Sequence, residues 1–250
     1  MKKILLPVVL LACLNPAFAQ KNKDKKEAQL TIDMMSVQGG KFDMGDDSAY
    51  IDRRPAHSVV LKSFSIGTYE VTQAQWKAIM DKNPSAYKCD DCPVTNVSWN
   101  DVQTFITKLN EKTGKHYRLP TEAEWEFAAR GGVKENPEHM KKYSGREVLQ
   151  YIAWFERNAN DHQHPVGKKR ANELGLHDMT GNVEEWTNDW YSKDYFSKRD
   201  ANNPQGPSGG NSKVVRGGSW QSEKDEISVT RRAAYTPDTK ATSLGFRLAM

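Results

Sequence analysis

Gly175-Leu176-His177-Asp178-Met179-Thr180-Gly181-Asn182-Val183-Glu184-Glu185-Trp186-Thr187-Asn188-Asp189-Trp190-Tyr191 is the stretch from which the rest of this chain can be read. It is too irregular for a helix and too polar for a buried strand, yet it holds two tryptophans, two glycines and several side-chain oxygens, a combination that predicts an ordered loop. Asp178, Gly181, Val183 and Glu185 can present carboxylates and backbone carbonyls to one hard cation, because calcium takes six to eight oxygens of either kind. A plainer reading stands beside it: Asp178 caps a turn, and Glu184 and Glu185 are solvated. Trp186 and Trp190, four apart, read as core anchors for the loop.

Outside this stretch, 250 residues suffice for one large domain or two small ones. Seventeen Gly, eleven Pro and seven Trp describe a loop-rich globule with an aromatic core. The net charge of +4 is modest and falls by two if a leader carrying Lys2 and Lys3 is removed, so charge gives no support to a nucleic-acid partner.

Residues 1–19 read as an export signal: two lysines, an apolar run from Ile4 to Leu14 too short to span a bilayer, and Ala17-Phe18-Ala19 as a cleavage site. Leu10-Leu11-Ala12-Cys13 offers a competing lipobox, in which Cys13 is lipidated and tethers the protein to a membrane. Either way the expected location is the periplasm or the cell surface. In that oxidising setting Cys89 and Cys92 persist as a disulfide or bind metal; two thiols alone cannot close a tetrahedral zinc site, which favours a small loop staple. Residues 20–29 form a lysine-rich flexible spacer, and one domain is expected over 30–250.

Within that domain, Thr31 to Val37 reads as a strand turning at Gly39-Gly40 into a hairpin, and Ser58 to Ile66 as another strand. Thr72 with Gln75, Ser98 with Asp101, and Thr121 with Glu124 are capping boxes opening three short helices. Trp125, Ala128 and Ala129 form the inner stripe of the third, which ends at Gly131-Gly132. Beyond Val133 the chain reads as loops with short apolar pieces.

Seven motifs stand in order: Gly39-Gly40 to Gly45, Tyr69-Glu70-Val71-Thr72 to Trp76, Pro93-Val94 to Trp99, Arg118-Leu119-Pro120-Thr121 to Glu126, Gly181-Asn182-Val183-Glu184-Glu185-Trp186, Arg216-Gly217-Gly218-Ser219-Trp220 and Leu244-Gly245-Phe246-Arg247. Together they resemble the sulfatase-modifying-factor family, which includes the formylglycine-generating enzymes. The resemblance implies an α+β fold, an elaborated C-type-lectin-like arrangement of short helices around small antiparallel sheets with much irregular chain. It also implies structural calcium at Asp178, Gly181, Val183 and Glu185.

In the oxidases of that family, the serine matching Ser219 is followed three residues later by a cysteine and five further on by a second, and the pair binds copper(I). The matching positions here are Ser222 and Ile227, and neither a hydroxyl nor an alkyl group replaces a thiolate for a soft ion, so copper is not expected. His162 and His164 can share a metal but read more simply as an exposed loop pair, and Arg118, Arg216 and Arg247 as structural ion-pairing residues. The expectation is an exported, calcium-stabilised binding or assembly module of the cell envelope that takes a protein or peptide in a groove lined by Trp186, Trp220, Ser222 and Arg231. The other reading is a formylglycine-generating-type oxidase or related metal-dependent oxidoreductase acting on a protein or small molecule.

Overall fold

The computed structural model describes residues 30–134, 141–145, 148–197 and 201–250; the expected signal and spacer, with Cys13, lie outside the described residues. Every helix and strand described belongs to one compact unit, Ile32–Met250. No helix among the described residues is long and apolar enough to cross a membrane.

Strand β1 (Met34–Val37) pairs antiparallel with β4 (Phe64–Gly67), and β2 (Gly40–Met44) with β3 (His57–Leu61). Val37 faces Phe64 and Gly40 faces Leu61, so residues 34–44 and 57–67 form one bent ribbon, broken where Gln38-Gly39 meets Lys62-Ser63. The hairpin turn expected at Gly39-Gly40 is therefore a bend, and the reversal lies at residues 45–56. A Cβ on Gly39 would sit 2.4 Å from the Leu61 carbonyl oxygen, so glycine is there for close approach rather than for a turn. The same break splits the single strand expected over Ser58 to Ile66.

Helices α1 (Gln73–Met80), α2 (Trp99–Thr113) and α3 (Glu122–Ala129) begin where the caps predict, with both halves of each capping box formed. A fourth, α4 (Leu149–Ile152), is one turn long. On α1 and α2, Trp76 stacks on Phe105 at 5.0 Å and Phe246 closes edge-on at 5.5 Å, forming the centre of one core cluster. Trp125 and Phe127 of α3 centre another.

All eight residues of α3 are buried, so the helix has no outer face opposite the expected inner stripe. Its glutamates are tolerated because each meets an arginine: Glu122 takes Arg216 and Arg232, Glu126 takes Arg216 and Arg130, and Glu124 is bidentate with Arg118. The expectation that Arg118 and Arg216 are structural agrees with this geometry.

The third sheet has the order β7-β6-β5-β8, built from β5 (Glu184–Trp190), β6 (Lys213–Arg216), β7 (Ala233–Tyr235) and β8 (Leu244–Gly245), with β5 and β8 parallel. The second half of the Gly175–Tyr191 stretch is thus a central strand, not a loop. Its polar residues are buried because they are matched: Glu184 with the Tyr235 hydroxyl, Thr187 with the Val214 carbonyl, and Asp189 with the Glu122 amide. Trp186 is a core anchor as expected, whereas half-buried Trp190 lies at the sheet margin under the Lys213 ammonium, 3.8 Å from its ring. Cys89 and Cys92 form a disulfide.

Candidate functional site

The turn before β5 brings Asp178 and Asn182 into left-handed backbone conformations and delivers Glu185 to a fully buried position. Arg247 reaches Glu185 from the far end of the chain: Nη2 donates to Oε1 at 2.6 Å and Nε to Oε2 at 2.7 Å, while Trp125 Nε1 donates to Oε2 at 2.8 Å. Arg247 also donates to the carbonyls of Gly67 and His177, which makes it a carbonyl bridge as well as an ion pair. Glu70 and Asp178 complete the cluster. One Asp178 oxygen accepts from the Gly167 amide at 2.7 Å and one Glu70 oxygen from Asn182 Nδ2 at 3.1 Å.

Three buried carboxylates therefore face one guanidinium. Burial raises the Asp178 carboxyl above its ordinary range and the Glu70 carboxyl well above it; Asp178 itself adds to the Glu70 shift, and Arg247 opposes both. Asp178 Oδ1 and Glu70 Oε2 are buried with no hydrogen-bond partner among the described residues. Asp178, Glu185 and the carbonyls of Gly181 and Val183 are the groups that would hold the expected calcium, and Glu185 already accepts three hydrogen bonds, two from Arg247 and one from Trp125. Among the described residues there is no group of three or more His, Cys, Asp and Glu able to hold a metal.

The Arg216-Gly217-Gly218-Ser219 turn presents the next segment. Ser222 Oγ accepts from the Ser219 amide at 3.1 Å, and Ile227 is fully buried against Ile152, Ala153 and Phe155. A Cβ on Gly218 would meet the Ile227 side chain at 2.6 Å, which records how closely that turn is packed. Trp220, Ser222 and Arg231 are partly exposed on the Ser219–Arg232 segment, but Trp186 is sealed in the core with its indole donating to the Val97 carbonyl, so it cannot line the expected groove. Its place in a central strand explains this: a residue facing the α1–α2 core is shielded from solvent.

His162 and His164 are half-buried rather than exposed. His164 stacks on Trp154 at 3.7 Å and His162 on Tyr87 at 4.6 Å, and a nitrogen of each ring meets a backbone carbonyl. A cleft of about 650 Å³ opens instead between residues 46–54 and residues 225–230, where Arg53, Arg54, Arg130, Lys141 and Lys142 supply positive charge. None of the expected groove residues borders it. The only sequence signal was the Arg53-Arg54-Pro55 run in a segment without periodicity.

An α+β core of short helices and small sheets, with an Arg-clamped acidic turn feeding its central strand, defines the C-type-lectin-like fold of formylglycine-generating-enzyme type. Residues 19–250 match the sulfatase-modifying factor enzyme 1-like domain, and the chain belongs to that family. It is 30% identical to chaperone protein LppX of Paenibacillus barcinonensis, covering 86% of this chain and 88% of that protein. The formylglycine-generating enzyme of Streptomyces coelicolor is 37% identical over 63% of this chain, and serine/threonine-protein kinase pkn1 of Chlamydia caviae is 30% identical over 92% of it. The chain spans only 52% and 40% of the length of those two proteins. Among solved structures, Treponema denticola variable protein 1 superposes with a TM-score of 0.79 at 31% identity, covering 86% of this chain and 94% of that one.

Proposed function

We propose that this chain is a calcium-stabilised binding or assembly module of the cell envelope without copper-dependent formylglycine-generating activity. One observation carries the reading. Where family oxidases place two thiolates, this chain has a hydroxyl already engaged by the Ser219 amide and an isobutyl-sized side chain buried in an apolar cluster. Copper(I) takes soft ligands, and this donor set offers none. The disulfide at Cys89 and Cys92 supplies no thiolate in its place.

A protein named a chaperone that matches this chain over nearly all of both lengths supports a partner-binding role. The proposed calcium is structural: held by Asp178, Glu185 and the Gly181 and Val183 carbonyls, it neutralises the acidic cluster and fixes the turn into β5. The oxidase reading draws on the likeness to a formylglycine-generating enzyme. Elemental mass spectrometry of the purified protein, paired with incubation of a cysteine-containing sulfatase peptide under oxygen and copper, separates the two. Calcium without copper and an unchanged peptide mass are expected. Bound copper together with loss of the peptide thiol would establish the oxidase and overturn the module.

A further inference from the structure

The basic cleft contains a buried guanidinium whose Nε has no hydrogen-bond partner among the described residues, and its surroundings point to one kind of ligand. Arg53 ends the 3₁₀ turn Ile51–Arg53 and is only 8% exposed. Its Nε finds no hydrogen-bond partner among the described residues, and the nearest carboxylate, Asp52, is 3.9 Å away. That contact is from Asp52 Oδ1, beyond hydrogen-bond distance, while its other oxygen, Oδ2, accepts from the Tyr191 hydroxyl at 3.2 Å. The Tyr50 ring, 5.3 Å from the Arg53 guanidinium carbon, offers its face but no hydrogen-bond acceptor along the fork.

A buried guanidinium nitrogen without a hydrogen bond is costly, and an arginine fork is commonly bridged by a carboxylate or phosphate in bidentate fashion. Neighbouring charge sharpens the deficit: burial lowers the Arg53 pKa, and the Arg216 and Arg231 charges lower it further against the pull of Asp52. The other cations of the cleft are already engaged, Arg54 with the Ala49 carbonyl, Arg130 with Glu126, Lys141 with Glu173 and Lys142 with Asp225, and Asp46 borders the same space. They contribute field rather than an open valence, and Arg53 contributes the open valence. Ser228 and Thr230 border the same space and add hydroxyls of the kind that accompany oxyanions.

We infer that the Arg53 cleft is a binding site for a small oxyanion, a phosphate or a carboxylate, held mainly by the Arg53 guanidinium. The inference goes beyond the module reading and does not depend on it, since an oxidase of this fold would carry the same cleft. The proximate sources of the ligand are a phosphoryl group or the carboxylate of a peptide terminus or acidic side chain, and two probes separate them.

The experiment titrates inorganic phosphate, and separately acetate, into the purified protein at constant ionic strength with chloride as the balancing anion, following heat and melting temperature. Saturable binding with a rise in melting temperature is expected for at least one probe. Phosphate alone assigns a phosphoryl ligand; acetate binding as well as phosphate, or acetate alone, assigns a carboxylate. Arg53→Met is expected to weaken binding at least tenfold while leaving the anion-free melting temperature equal to or above that of the wild type, because it removes an unsatisfied buried charge. Lys142→Met, at the exposed rim, is expected to weaken binding only two- to threefold. No saturable effect of either probe on the wild type, or an equal response in Arg53→Met, would overturn the site. A large fall in the anion-free stability of Arg53→Met would also overturn it, by showing that Arg53 is satisfied within the protein.

Discussion

Replacing Arg247 by Met strips the acidic cluster of its one guanidinium while nearly preserving its volume. Glu185 loses two hydrogen bonds of 2.6 and 2.7 Å and keeps only the Trp125 indole, and the Gly67 and His177 carbonyls each lose a donor. Arg247 and Glu185 are both wholly buried, so no water replaces what is removed. Breaking a buried pair from one side costs about 3–5 kcal/mol, because an uncompensated charge remains. For a unit of this size that lowers the melting temperature by roughly 6–20 °C. Arg118→Met is the internal control: its pairing with Glu124 is equally short, but the arginine side chain is 42% exposed, and an exposed pair is worth about 0–1 kcal/mol. Thermal and urea unfolding of both variants, followed by circular dichroism at neutral pH, makes the comparison. The Arg247→Met deficit should narrow on acidification, as the Glu70 and Asp178 carboxyls, raised by burial, take up protons and cease to need a counter-charge. A loss below about 1 kcal/mol, or one equal to that of Arg118→Met, would refute the view that burial makes this pair indispensable.

Asp189 is pushed up to about 8 by burial and then by the Glu122 charge, so between the unfolded carboxyl's range and that value the folded state holds one proton more than the unfolded. Its stabilising contribution is therefore complete below the unfolded pKa and lost as pH rises through 8, a fall of about 1.4 kcal/mol per pH unit. Asp189→Asn should flatten the stability–pH curve measured by urea unfolding and be the more stable protein at the alkaline end. Gly181→Ala places a Cβ 2.0 Å from the Trp154 carbonyl oxygen at a φ of +82° and should cost about 1–3 kcal/mol or more in the same assay. Chelating calcium should lower the melting temperature of the wild type and do so less in Asp178→Ala. An unchanged melting point in protein shown by elemental analysis to be metal-free removes the calcium assignment.

Helix starts were legible because a capping box is a local contract: Thr72, Ser98 and Thr121 each satisfy the third amide on, whatever lies elsewhere. Strand β5 was not legible, because what permits Glu184, Glu185 and Asp189 to be buried in a strand comes from Tyr235, Arg247 and the Glu122 amide, residues distant in sequence. The Gly39-Gly40 bend is illegible for a related reason: a glycine pair signals a turn equally well when Gly39 only lets the second strand pass close. Of the expected groove, Trp186 failed because the partner surface that buries it belongs to α1 and α2. Arg53 is an ordinary cation of a polar loop in sequence terms; its burial and its unpartnered Nε depend on residues outside that loop.

Arg247 lies at the far end of the chain from the groups it satisfies. Its bond to the Gly67 carbonyl spans 180 residues, Met250 exchanges backbone hydrogen bonds with Ser65, and Ala249 does so with Arg118. During synthesis, then, the first ribbon and the acidic turn are made long before the residues that close them, and Glu185 must wait without its counter-ion until residues 244–250 arrive. Closure at such separation is slow, since the entropy of joining distant segments is lost before their contacts form. Residues 247–250 act as a latch: until they engage, the ribbon, the acidic turn and the Arg118 backbone lack the bonds that tie them to one another.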